Sequence, residues 1–138
     1  AKLAEQIELS LVAVDDRPDY ANRDLFPVGT EILCNDFETA LDEIDPQPND
    51  FVVIVSRGHK DDKKCLEKLA GRELGYIGMM GSKRRVNNLF EELYRKGIDQ
   101  HWLEEIHSPI GLDIGAETPG EIAVSILAEI IQEWRKGA

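Results

Sequence analysis

The sequence predicts an α/β domain built on a doubly wound, mostly parallel sheet with helices on both faces. Two observations carry that prediction. Short apolar runs, LVAVDD at 11–16, FVVIVS at 51–56 and YIGMMG at 76–81, alternate with segments of helical period. The runs themselves show no polar alternation, as strands buried on both faces require.

Residues 1–9 read as a helix with Leu3, Ala4 and Ile7 on one face. After the strand at 11–16, RPDYANRDLFP is turn-rich with room for a short helix, and TEILC (30–34) is a further extended element. Phe37, Ala40, Leu41 and Ile44 are in phase for a helix over 37–44, and DPQPND (45–50) breaks the chain. FVVIVS is the clearest strand. The helix after it carries Cys65, Leu66 and Leu69 inward and stops near Gly71. Ser82 is placed to cap the next helix, whose stripe is Val86, Leu89, Phe90 and Leu93, closed by Gly97. A short helical piece at 99–105 leads into IHSPIGLDIGAETPGE. There Thr118 reads as an N-cap, Pro119 as the first helical residue and Glu121 as the partner of a capping box. The final helix runs to about Lys136, with Ile122, Ala123, Ile126, Leu127, Ile130 and Trp134 toward the sheet. No repeat or linker interrupts the chain, so residues 1–138 read as one domain.

Composition narrows the function classes. The 138 residues are 42% hydrophobic, enough for a core. No run approaches the ~18 apolar residues of a membrane span, and the N-terminus lacks a leader pattern. With 27 acidic against 16 basic residues the formal net charge is −11, which repels nucleic acid and anionic membranes. Cys34 and Cys65 have no Cys or His at ligand spacing and read as free thiols of a reducing, cytoplasmic compartment. His59, His101 and His107 share no regular spacing, and neither a metal cluster nor a Ser-His-Asp arrangement is legible.

Ligands of doubly wound sheets bind beyond the carboxyl ends of the strands, and four loops there are unusual. Asp15 and Asp16 end a strand where an acid commonly bonds ribose hydroxyls; such turns also end strands with no ligand at all. Ser56-Arg57-Gly58-His59 offers donors around a glycine, or an ordinary helix start capped by Asp61 or Asp62. Gly78-Met79-Met80-Gly81-Ser82-Lys83-Arg84-Arg85 puts three cations in a first helical turn, where the macrodipole disfavours each by ~0.3–1 kcal/mol. An anion would reverse that cost, and free N–H groups there suit a phosphate; a solvated basic face is the alternative. Finally, Gly111, Asp113, Gly115 and Glu117 line a glycine-containing loop before a helix, whose Ile110, Leu112 and Ile114 equally suit core packing.

Taken together, VVIVSRGHKDD, YIGMMGSKRR and IHSPIGLDIGAETPGEIAVSILAEI resemble the C-terminal domain of the xanthine dehydrogenase accessory factor family (XdhC/CoxI). VAVDDRP and Phe26-Pro27 resemble its upstream part. The resemblance implies a Rossmann-like fold and an accessory factor rather than an enzyme with ordinary turnover. Such a factor binds molybdenum cofactor (molybdopterin) and assists its sulfuration and insertion into a molybdenum hydroxylase apoenzyme. It works with a cysteine desulfurase, commonly as a homodimer. The implied binding residues are Arg57, Gly58, His59, Gly78, Gly81, Ser82, Lys83, Gly111, Asp113, Gly115 and Glu117; Arg84, Asp15 and Asp16 join them from the loop chemistry above.

Two other readings stand beside it: an NAD(P)-binding oxidoreductase or nucleotide-binding regulatory domain, resting on Asp15 or Asp16, and an interaction module without ligand. A full family member also has a strand and a glycine-rich GAGH-like turn before the first helix. In the strand order 3-2-1-4-5-6 that strand lies between LVAVDD and FVVIVS. The expectation is therefore that those two runs do not pair directly, and that a segment of the same gene product or of a second protomer fills the slot.

Overall fold

The computed structural model describes residues 1–136. Within the span read as one domain they fall into two compact units, Ala1–Asp45 and one beginning at Pro46.

The first unit contains α1 (Lys2–Gln6), β1 (Val12–Asp15), a 3-10 turn (Arg23–Leu25), β2 (Glu31–Cys34) and α2 (Phe37–Ile44). Helix α1 ends three residues before the predicted limit. Glu8 takes a positive φ of 62°, and the Leu9 amide bonds back to the Ala4 carbonyl at 3.0 Å, closing the helix end as a left-handed cap does. Strands β1 and β2 pair in parallel, with Val12 opposite Glu31 and Asp15 opposite Cys34. Asp36 caps α2 by accepting the Thr39 amide at 2.8 Å, and Ala40 on its inner face is fully buried.

The second unit contains β3 (Phe51–Ile54), α3 (His59–Leu69), β4 (Tyr76–Met79), α4 (Lys83–Arg95), α5 (Gln100–Glu104) and α6 (Pro119–Lys136). Strands β3 and β4 pair in parallel, and His107 adds a single parallel bridge to Gly78 on the other side of β4. Phe51 and Tyr76 point toward α6, where Phe51 meets Trp134 at 5.7 Å between ring centres. Alternation leaves Ile54, Ile77 and Met79 for the other face, and Leu66, Leu69, Val86, Leu89 and Leu93 of α3 and α4 complete the core. Each such aliphatic side chain contributes about 1.5–3 kcal/mol by leaving water. At the start of α6 the Thr118 hydroxyl accepts the Glu121 amide at 3.2 Å. The Glu121 carboxylate accepts from Glu117, one residue before the partner a regular capping box would use.

Neither cysteine is in a disulfide; Cys34 is exposed and Cys65 buried. Among the described residues no helix is long and apolar enough to cross a membrane.

Candidate active edge of the second unit

Because β3 and β4 are parallel, the chain leaves both at the same edge of the sheet. The Met80 amide still bonds the Ile54 carbonyl at 2.9 Å, so Ser56-Arg57-Gly58 and Gly81-Ser82 follow side by side. The chain at His107 runs the same way as β4, and four residues later Gly111 is held on Glu129 of α6.

The first of these loops is shaped by a buried carboxylate. Sequence reasoning offers Asp61 or Asp62 as the cap of α3. Instead Gly58 is the N-cap, without a side-chain bond, and Asp62 lies within the helix, 1% exposed. Ser56 donates its hydroxyl to Asp62, and Arg85 of α4 reaches the other carboxylate oxygen at 3.4 Å. Burial pushes the Asp62 carboxyl above the ordinary aspartate range, against the pull of Ser56 and Arg85. Gly58 itself is extended, with nothing within 4 Å of where a Cβ would sit. Arg57 lies 3.8 Å from Asp61. His59 is turned to α4, where its Nε2 sits 3.0 Å from Glu92, beside Lys63 at 2.7 Å. Lys63 and then His59 hold the Glu92 carboxyl below the usual glutamate range.

The second loop divides its three cations. Ser82 caps α4 by accepting the Arg85 amide at 3.2 Å. The Arg85 guanidinium folds back to donate to the Met80 carbonyl at 3.2 Å and to meet Asp62. Gly81, at φ +157°, makes room for it, since a Cβ there would stand 2.6 Å from Arg85 Nη2. Lys83 and Arg84 are exposed, without a side-chain ion pair or hydrogen bond among the described residues. Gly78 is occupied from within: a Cβ would come 2.5 Å from the Tyr76 hydroxyl and 2.7 Å from Ile110.

The third loop is fastened to α6. Gly111, at φ +95°, donates its amide to Glu129 at 2.9 Å, and the same carboxylate accepts the Tyr76 hydroxyl at 2.6 Å. His107 stacks on Tyr76, 4.7 Å between ring centres, with Nδ1 3.6 Å from Glu129. Burial first, and then Glu129, push the Tyr76 phenol upward. Neither Glu129 nor Ser125 emerges from sequence reasoning, which reads α6 through its apolar stripe. The available signal is two polar residues four apart beside that stripe. Asp113, Gly115 and Glu117 remain exposed.

Asp15 and Asp16 belong to the first unit. The Asp15 carboxylate is engaged by Arg17, through its amide at 3.0 Å and its guanidinium at 3.0 and 3.1 Å, which holds it below the ordinary range. Of the two acids proposed for ribose, Asp15 is thus already bonded within its own turn.

Comparison with known proteins identifies the lineage. The sequence profile described as the XdhC Rossmann domain matches residues 1–130. The chain is 35% identical over 138 residues to a Bacillus subtilis (strain 168) protein named as a probable subunit of xanthine dehydrogenase, covering all of this chain and 40% of that protein. It is 34% identical over 133 residues to the uncharacterized protein YqeB of Escherichia coli (strain K12), covering 96% of this chain and 24% of that protein. A crystal structure described as a xanthine dehydrogenase from Bacillus halodurans superposes with a TM-score of 0.85 at 35% identity, over 98% of this chain and 38% of that one. The chain therefore spans two fifths or less of these relatives. Its parallel strands and intervening helices form a Rossmann-like α/β fold, and the chain belongs to the XdhC family.

Proposed function

We propose that this chain serves a xanthine dehydrogenase-type molybdenum hydroxylase as an accessory factor, binding molybdenum cofactor and assisting its sulfuration and insertion. The observation that carries the reading is the pair of exposed cations, Lys83 and Arg84, in the first turn of α4 beside the open Gly58 loop. In a chain of net charge −11 these sit where the helix dipole favours an anion, and the cofactor carries a phosphate.

The residues present fit that group. Ser82 and the first turn of α4, with Lys83 and Arg84, would hold the phosphate; Arg57 and Gly58 would border it. Among the described residues no group of three or more His, Cys, Asp or Glu could hold a metal ion, so the metal would arrive on its organic carrier. The cofactor supplies the redox metal to the target enzyme; this chain's own residues bind and orient it. The apoenzyme and a cysteine desulfurase are the partners of this reading, and a homodimer its assembly.

Anaerobic calorimetry with purified molybdenum cofactor, and separately with NAD and NADP, tests it. Binding of the cofactor is the expected result. Binding of a dinucleotide alone would replace this reading by the oxidoreductase one, and binding of neither would leave an interaction module.

A further inference from the structure

We infer that residues 107–116 form a strap that opens and closes as one piece against α6, with Glu129 and Ser125 as its clasp. The strap starts at a fixed point, because His107 takes both of its bridge bonds from β4. Its amide donates to Ile77 at 2.9 Å, and its carbonyl accepts Met79 at 3.0 Å. Four residues later the chain touches α6 through a compact set of bonds. Glu129 accepts the Gly111 amide at 2.9 Å, the Ser125 carbonyl accepts the Leu112 amide at 3.2 Å, and the Ser125 hydroxyl donates to the Leu112 carbonyl at 2.5 Å. Ser125 and Glu129 are one helical turn apart and both buried, so they present one face to the strap.

The approach is so close that only glycine fits at position 111. Its φ is +95°, and a Cβ there would collide with the Ser125 side chain. Past the clasp the strap holds nothing: Asp113, Ile114 and Gly115 are exposed, Ile114 at 54%. Gly115, at φ +71° in open space, supplies a second turning point before α6 begins. Anchored at one end, clasped in the middle and unsupported beyond, the segment has one set of hydrogen bonds to break, together with the packing of Ile110 on Gly78. Glu129 also accepts the Tyr76 hydroxyl, at 2.6 Å, so release of Gly111 does not leave the buried carboxylate bare. That second partner lets the clasp release without unfolding the unit. The opening stands on this geometry alone and does not depend on the proposed function.

Amide hydrogen exchange by NMR tests the strap in the native chain. Gly111 and Leu112 are expected to exchange at a common rate, at least about tenfold faster than Met79, as local opening below the global limit requires. Glu129→Ala should accelerate both by about tenfold to hundredfold beyond whatever change Met79 shows from the loss of the Tyr76 bond, the effect of losing the Gly111 acceptor; Glu129→Gln, which retains a carbonyl oxygen, should recover part. Ser125→Ala should accelerate Gly111 together with Leu112. Gly111 exchanging as slowly as Met79 in the native chain would overturn the proposal, as would Leu112 alone responding to Ser125→Ala. Should Glu129→Ala fail to fold, the native comparison and Ser125→Ala still decide.

Discussion

Asp62 is a buried carboxylate whose two obvious replacements should behave in opposite ways. Asp62→Ala takes the nearer of two acceptors from the Ser56 hydroxyl, leaving it the Gly58 carbonyl at 3.3 Å, and empties a site where the carboxylate is 1% exposed. The lost hydrogen bond and the emptied space together cost about 1–3 kcal/mol. Asp62→Asn is isosteric and keeps an oxygen for Ser56. It gives up the ion pair to Arg85, but that side chain is 35% exposed and keeps the Met80 carbonyl, so the loss is within about 1 kcal/mol. Against it stands a gain. Burial raises the folded-state pKa of Asp62 above its unfolded value, so ionisation opposes folding as pH rises from about 3.9, the unfolded aspartate value. That opposition is complete above the folded pKa and is absent in the Asn variant. Asp62→Asn should therefore lie within about 1 kcal/mol of the native chain at pH 7, gaining on it between pH 4 and pH 7, while Asp62→Ala is the less stable by about 1–3 kcal/mol. Urea unfolding followed by tryptophan fluorescence measures this, because both tryptophans, Trp102 and Trp134, lie in the unit that holds Asp62. An Asn variant as unstable as the Ala variant at pH 7, or a native–Asn difference constant from pH 4 to 7, would refute the reasoning.

Thr118→Ala removes the cap of α6 and should cost about 1 kcal/mol, read from the urea midpoint at unchanged slope. Glu92 has its folded-state pKa depressed by Lys63 and His59, so its stabilisation is present above the unfolded value and is lost as pH falls through the folded one. Glu92→Gln should lower the urea midpoint at pH 7, with the difference shrinking as pH falls below the unfolded glutamate value of about 4.3. Replacing Lys83 and Arg84 together by Ala should weaken cofactor binding in calorimetry and flatten its dependence on salt; unchanged affinity at low salt would remove the phosphate from this turn.

Elements fixed by a local pattern were legible in the sequence, and those fixed by a distant partner were not. Helix α2 spans the predicted Phe37–Ile44 because four apolar residues in phase, an Asp cap and a left-handed Asp45 act within ten residues. The start of α6 was equally plain. Helix α1 fell short because Glu8 at positive φ carries no glycine or asparagine signal. The site shows the same division. That the loops after β3 and β4 share an edge follows from the parallel pairing. Glu129, however, joins residues 53 and 18 positions away in sequence, Tyr76 and Gly111, and no spacing rule links them.

The cations at 83–85 show how a sound local argument is rewritten by packing. Three positive residues in a first helical turn are opposed by the macrodipole at ~0.3–1 kcal/mol each, which favours a counter-charge. The structure supplies one from within the chain: Asp62 faces Arg85, the Met80 carbonyl takes another of its protons, and Gly81 clears the space. Arg85 is thereby explained without a ligand, and it joins α4 to α3 instead. The unexplained cost shrinks to Lys83 and Arg84, which lie exposed on the same turn with no carboxylate among the described residues to offset them. Since the helix N-terminus and two cations still share that turn, the anion argument survives in a smaller and sharper form. It now rests on two residues that can be removed without disturbing the Asp62–Arg85 contact, so binding and folding can be separated by mutation.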